Sequence, residues 1–120
     1  PDIKSKRHAN FNNFVNTSDI DVKRLLSDIL HTSLHSYLTM CENLVDLDAK
    51  NLLDQIRVPT LVIEGTKDSI FPPEIAKYLH KRIKKSELDL IPGANHILVL
   101  NNPQKLEKSI EEFLKKIGFY

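Results

Sequence analysis

One cysteine, Cys41, is all the thiol chemistry in the 120 residues. A lone thiol cannot close an internal disulfide or supply the paired spacing of a zinc finger, and a chain without a disulfide framework is expected in the cytoplasm. An excess of charge of one sign is missing too. The 17 basic residues nearly cancel the 16 acidic ones, leaving a formal charge of +1, so no overall field draws the chain to nucleic acid or an anionic membrane. No apolar run approaches the ~18 residues of a membrane span. The opening Pro1-Asp2-Ile3-Lys4-Ser5-Lys6-Arg7 has no apolar signal core behind its basic residues, so a soluble protein is expected. An initiating methionine is also lacking, with no secretory segment whose removal would explain it, and the chain is therefore expected to begin inside a longer gene product. Internal repeats and low-complexity segments are absent.

What is present suits one globular domain or part of one: 41% hydrophobic and 28% charged residues are ordinary proportions for a packed chain. Residues 1–17 are polar and rich in asparagine and read as an arm or loop. Thr17 or Ser18 is suited to cap a helix. Beyond it Val22, Leu25, Leu26, Ile29, Leu30, Leu34 and Leu38 recur at steps of three and four, which predicts one amphipathic helix. A short second helix is expected over Asp46 to Ile56, halting before Val58-Pro59 because proline disfavours a helical residue in front of it.

The period then changes. Thr60-Leu61-Val62-Ile63-Glu64, ended by Gly65, predicts a strand buried on both faces of a parallel sheet. Pro72-Pro73-Glu74 opens a helix carrying Ile75, Ala76, Leu79 and Ile83. Ser86 to Ile91 predicts the next strand, closed by Pro92-Gly93. Asn102-Pro103 begins a last amphipathic helix through Leu106, Ile110, Phe113, Leu114 and Ile117. The fold class is α/β, and a strand, crossover helix and strand pair in parallel with a right-handed connection.

Asp68 follows the carboxyl end of the first strand and His96 that of the second, where open parallel sheets present their functional groups. Taken alone, Asp68 is an ordinary turn aspartate and His96 an ordinary loop histidine. Together they offer a carboxylate that holds one imidazole nitrogen in the N–H form while the other accepts a proton from a nucleophile. His31 and His35 stand four apart, a spacing that suits a metal, but no acidic residue lies between them and no third ligand is evident. Lys4, Lys6, Arg7 and His8, and the run Lys81, Arg82, Lys84 and Lys85, read as solvated faces, because no aromatic residues interleave to stack bases.

Val58-Pro59-Thr60-Leu61-Val62-Ile63-Glu64-Gly65-Thr66-Lys67-Asp68, then Pro72-Pro73-Glu74, then Ile91-Pro92-Gly93-Ala94-Asn95-His96, then Asn102-Pro103 and an amphipathic helix, together resemble the C-terminal part of the α/β-hydrolase family. The resemblance covers about residues 48–118 with order and spacing kept. Asn95 stands where many members have glycine before the histidine. The resemblance implies that Asp68 is the acid and His96 the histidine of a catalytic triad. It also implies that residues 18–57 are the end of a helical cap and residues 58–120 the C-terminal part of the core. Leu26, Leu30, Leu34 and Met40 would then line an acyl or alcohol pocket, although such a stripe is more often simply core.

The nucleophile elbow Gly-x-Ser-x-Gly belongs upstream of the acid, and none of Gly65, Gly93 and Gly118 brackets a serine or cysteine at that spacing. The expected function is therefore that of the C-terminal half of a serine-type, carboxylesterase- or lipase-like hydrolase acting on a small-molecule ester or acyl substrate, without a cofactor. Its partner would be the N-terminal half of the hydrolase or a second copy of the chain. The alternative is a non-catalytic ligand-binding or interaction module that has kept the half-fold and lost its nucleophile.

Overall fold

The computed structural model describes residues 14–46 and 50–119. Most of the expected arm, and residues 47–49 of the helix expected over Asp46 to Ile56, lie outside the described residues. Helix α1 (Val22–His31) is followed by α2 (Leu34–Asp46) and the single turn α3 (Lys50–Leu53). Then come strand β1 (Thr60–Gly65), helix α4 (Pro73–Arg82), strand β2 (Ser86–Ile91), the one-turn α5 (Leu98–Asn101) and the long α6 (Pro103–Lys116).

The two strands form a parallel pair in unbroken register, from Thr60 opposite Ser86 to Gly65 opposite Ile91. Because the register ends at Gly65 and Ile91, the loops that follow both strands leave the sheet side by side. Helix α4 makes the crossover and packs on both strands. It has no side-chain cap; Pro73 stands in the first turn beside Glu74, and His80, Lys81 and Arg82 occupy the last turn, a charge order that complements the helix dipole. Helix α6 lies on the face of β2 that bears Glu87 and Asp89. The hydroxyl of buried Ser109 donates to Asp89 at 2.5 Å, and Lys116 reaches Glu87 at 2.8 Å.

Several local expectations need correction. The helix predicted through Val22 to Leu38 is two helices. The Thr32 N–H still reaches Asp28, but the Ser33 hydroxyl accepts the N–H of Ser36 and starts a new first turn, which is what a serine N-cap does. The cap of α1 is neither Thr17 nor Ser18 but Asp21, whose side chain accepts the N–H of Arg24 at 2.8 Å. Leu26, Leu30, Leu34 and Met40 are 56%, 74%, 55% and 57% exposed; the stripe is not core, because α1 and α2 pack chiefly on each other. The strands are half-buried rather than buried on both faces, because a two-stranded sheet has an open edge on each strand. Among the described residues the buried apolar ones are few: Ala76, Ile83, Ile91 and Ala94.

Candidate active site

The turn after β1 and the turn after β2 are clamped together. Thr66 N–H donates to the Ile91 carbonyl at 3.1 Å, Lys67 N–H to the Ala94 carbonyl at 2.8 Å, and Gly93 N–H to the Thr66 hydroxyl at 2.8 Å. Gly93 adopts φ 75°, a left-handed conformation that favours glycine and turns the chain directly after β2. Asp68 and His96 are thereby brought to one place.

The Asp68 side chain is 1% exposed, whereas the His96 side chain is 35% exposed. Asp68 Oδ2 lies 2.8 Å from His96 Nδ1. Asp68 Oδ1 accepts the backbone N–H groups of Ile70 and Phe71 at 2.8 and 2.7 Å. Burial pushes the Asp68 carboxyl upward, but the Phe71 N–H, the His96 ring, Glu64 and the Ile70 N–H outweigh it and hold the group below the usual aspartate range. An ionised carboxylate makes Nδ1 the protonated ring nitrogen and leaves Nε2 as the acceptor. The Phe71 ring leans on the imidazole, with centroids 5.4 Å apart and planes at 38°.

Two carboxylates beside this pair were not singled out by the sequence. Glu64 accepts the Gly65 N–H at 2.8 Å. Burial raises its pKa above the usual glutamate value, and the adjacent Asp68, to which its protonated form donates, adds to the rise. Asp19 is 8% exposed and accepts the His96 N–H and both donors of Ser69. Asp19 sits in a polar stretch with no period or motif, so no local signal marks it; only the fold brings residues 19, 69 and 96 together.

His31 and His35 are not joined in a metal site. The helix break at Thr32 and Ser33 places them on different helices, and His31 Nδ1 lies 2.7 Å from the Ser27 carbonyl. Among the described residues no cluster of three histidine, cysteine or acidic side chains is placed to hold a metal ion. No helix among them is long and apolar enough to cross a membrane. An open groove of about 580 Å³, lined by Thr17, Asp19, Lys67, Ser69, Asn95 and Asn101 among others, lies next to the pair; neither Asp68 nor His96 lines it.

Residues 11–103 match the family model described as alpha/beta hydrolase fold. The chain belongs to this family. As an α/β-hydrolase it is 32% identical over 106 residues to a pimeloyl-[acyl-carrier protein] methyl ester esterase of Neisseria meningitidis serogroup A, a match that covers 86% of this chain and 34% of the relative. It is 29% identical over 105 residues to 3-oxoadipate enol-lactonase 2 of Acinetobacter baylyi, covering 88% of this chain and 39% of that protein. Among solved structures, an esterase from Thermogutta terrifontis superposes with a TM-score of 0.56 at 34% identity, over 58% of this α/β-hydrolase chain and 26% of the esterase. A serine hydrolase involved in carbazole degradation shares the fold, with a TM-score of 0.65 over 82% of this chain and 41% of that one. The chain thus spans a third to two fifths of the length of these curated relatives.

Proposed function

We propose that this chain carries the acid and the histidine of a serine-type hydrolase, carboxylesterase- or lipase-like, that cleaves an ester or related acyl bond of a small molecule. The observation that supports this reading is the 2.8 Å contact between a buried Asp68 carboxylate and Nδ1 of a half-exposed His96. Esters and a lactone are acyl–oxygen substrates, and two relatives are named for them.

In this reading Asp68 holds the Nδ1–H of His96 and stays ionised. Nε2 takes the hydroxyl proton of a nucleophile as its oxygen attacks the acyl carbon, and the imidazolium returns that proton to the departing alkoxide. Water then repeats the sequence and releases the acid. No cofactor takes part. The nucleophile and the oxyanion donors come from outside these 120 residues, because none of the three glycines forms an elbow with a serine or cysteine. In this reading residues 18–57 belong to the end of a cap and residues 58–120 to the end of the catalytic core. The partner is the N-terminal half of the hydrolase, in preference to a second copy of the chain, and the compartment is the cytoplasm.

The test is the coding sequence upstream of Pro1 and the activity of the polypeptide it specifies on p-nitrophenyl acetate. A Gly-x-Ser-x-Gly elbow is expected there, with turnover that falls about 10³-fold or more on Asp68→Asn or His96→Ala. An upstream sequence without an elbow, or turnover indifferent to both substitutions, overturns the enzyme and leaves the non-catalytic binding module.

A further inference from the structure

Two aspartates are buried among the described residues, Asp68 and Asp19. The second has no part in the mechanism above. Its Oδ1 accepts the backbone N–H of His96 at 2.7 Å, and its Oδ2 accepts the backbone N–H and the hydroxyl of Ser69 at 2.8 and 2.7 Å. The three donors belong to the assigned base and to the residue after the assigned acid, so one carboxylate joins the two loops whose relative placement sets the Asp68–His96 distance.

Asp19 is itself held from both sides. The Arg24 guanidinium donates to the Thr17 hydroxyl at 3.1 Å, to the Ser18 carbonyl at 3.3 Å and to the Asp19 carbonyl. The side-chain amides of Asn95 and Asn101 both donate to the Thr17 carbonyl at 2.9 Å. The Asn16 N–H donates to Asn101 Oδ1 at 2.6 Å, and Asn16 adopts φ 60°, a left-handed conformation that asparagine tolerates better than most residues. A fixed strap therefore presents a carboxylate that charge-assisted hydrogen bonds make directional.

We propose that Asp19 is a positioning residue, which grips the backbone N–H groups of His96 and Ser69 and so keeps the imidazole in register with Asp68. The inference rests on the reading of Asp68 and His96 as acid and base. The experiment reads the imidazole rather than turnover, so the two can fail separately.

In Asp19→Asn the side-chain NH2 faces the backbone N–H of either His96 or Ser69, whichever way the amide is turned, and one loop loses its grip. In the 120-residue chain at neutral pH, the ¹⁵N shifts of the His96 ring should report a single Nδ1–H tautomer in the wild type. Asp19→Asn should give a tautomer mixture while the amides of β1 and β2 stay protected from exchange. Ser69→Ala, which keeps the carboxylate and the His96 N–H bond, should retain the single tautomer. A folded Asp19→Asn with the wild-type ring signature overturns the proposal, as does Ser69→Ala with the mixture of Asp19→Asn. Should Asp19→Asn fail to fold, a scalar coupling across the hydrogen bond between the His96 amide nitrogen and the Asp19 carboxyl carbon decides on the wild type: present supports, absent overturns. Asp68→Asn serves as the control. If it leaves the His96 tautomer unchanged, the acid–base pairing itself fails.

Discussion

Gly65, the last residue of β1, lies against the carbonyl of Ala94 so closely that a methyl group on its α-carbon would fall on that carbonyl and 2.9 Å from the carbonyl oxygen of Asn95. Both obstacles are backbone, so neither can rotate aside. The missing side chain is what lets the histidine loop close over the end of the first strand, and the Lys67–Ala94 hydrogen bond depends on that closeness.

Gly65→Ala is accordingly expected to cost about 1–3 kcal/mol, the usual range for overpacking a site that cannot relax, and to displace His96 from Asp68. Urea unfolding measures the first effect and the ¹⁵N shifts of the His96 ring the second. An unchanged midpoint with an unchanged ring spectrum would show that the two loops are looser than their hydrogen bonds imply.

Stability should depend on pH in two opposing ways. The folded-state pKa values of Asp68 and Asp19 are lowered: burial raises each, and hydrogen bonds outweigh it, from Phe71, His96, Glu64 and Ile70 for Asp68 and from Ser69 and His96 for Asp19. Their contribution is present above the unfolded aspartate value of about 3.9 and is lost as pH falls through the folded values. Thermal melts below about pH 4 should therefore show destabilisation that is smaller in Asp19→Asn.

Glu64 has the reverse sign. Its pKa is raised by burial and by Asp68, so its contribution is present below the unfolded glutamate value of about 4.3 and is lost as pH rises through the folded value. Glu64→Gln keeps an acceptor for Gly65 and gains a permanent donor toward Asp68. It should raise the melting temperature at pH 7 and leave it nearly unchanged at pH 4; a fall at pH 7 would contradict the assignment.

The 120-residue chain alone should show negligible turnover on activated esters, because an oriented imidazole without nucleophile and oxyanion donors lacks the main sources of rate. Stopped-flow detection of an acyl-enzyme burst, abolished by mutating one of the chain's own serines, would refute this.

Concentration-dependent association is expected as well. Leu61, Ile63, Leu88 and Leu90 are only half-buried on two strands with open edges, and Leu30, Leu34, Leu38 and Val99 are exposed by more than half. Unpaired edges with apolar neighbours invite another chain. Light scattering that reports a monomer across a hundredfold range of concentration, together with protected amides in both strands, would instead mark a segment that folds alone.

The sequence by itself determined the elements that carry a local signal. A β-branched run ending at Gly65, proline at the start of α4 and α6, and Pro92-Gly93 after β2 act within a few residues, so the strand–helix–strand order and the loops bearing Asp68 and His96 were legible. Where a signal depends on what it packs against, legibility ended. The stripe Val22 to Leu38 has one period, yet the Ser33 cap divides it, and Val22, Leu26, Leu30, Leu34 and Leu38 stay exposed. Asp19 lies in a featureless polar stretch, and its role exists only because folding brings it 2.7 Å from the N–H of a residue 77 positions away. Burial, the shifted carboxyls and the fit of Gly65 against Ala94 were likewise decided by tertiary structure, because desolvation and steric closeness belong to neighbours in space rather than along the chain.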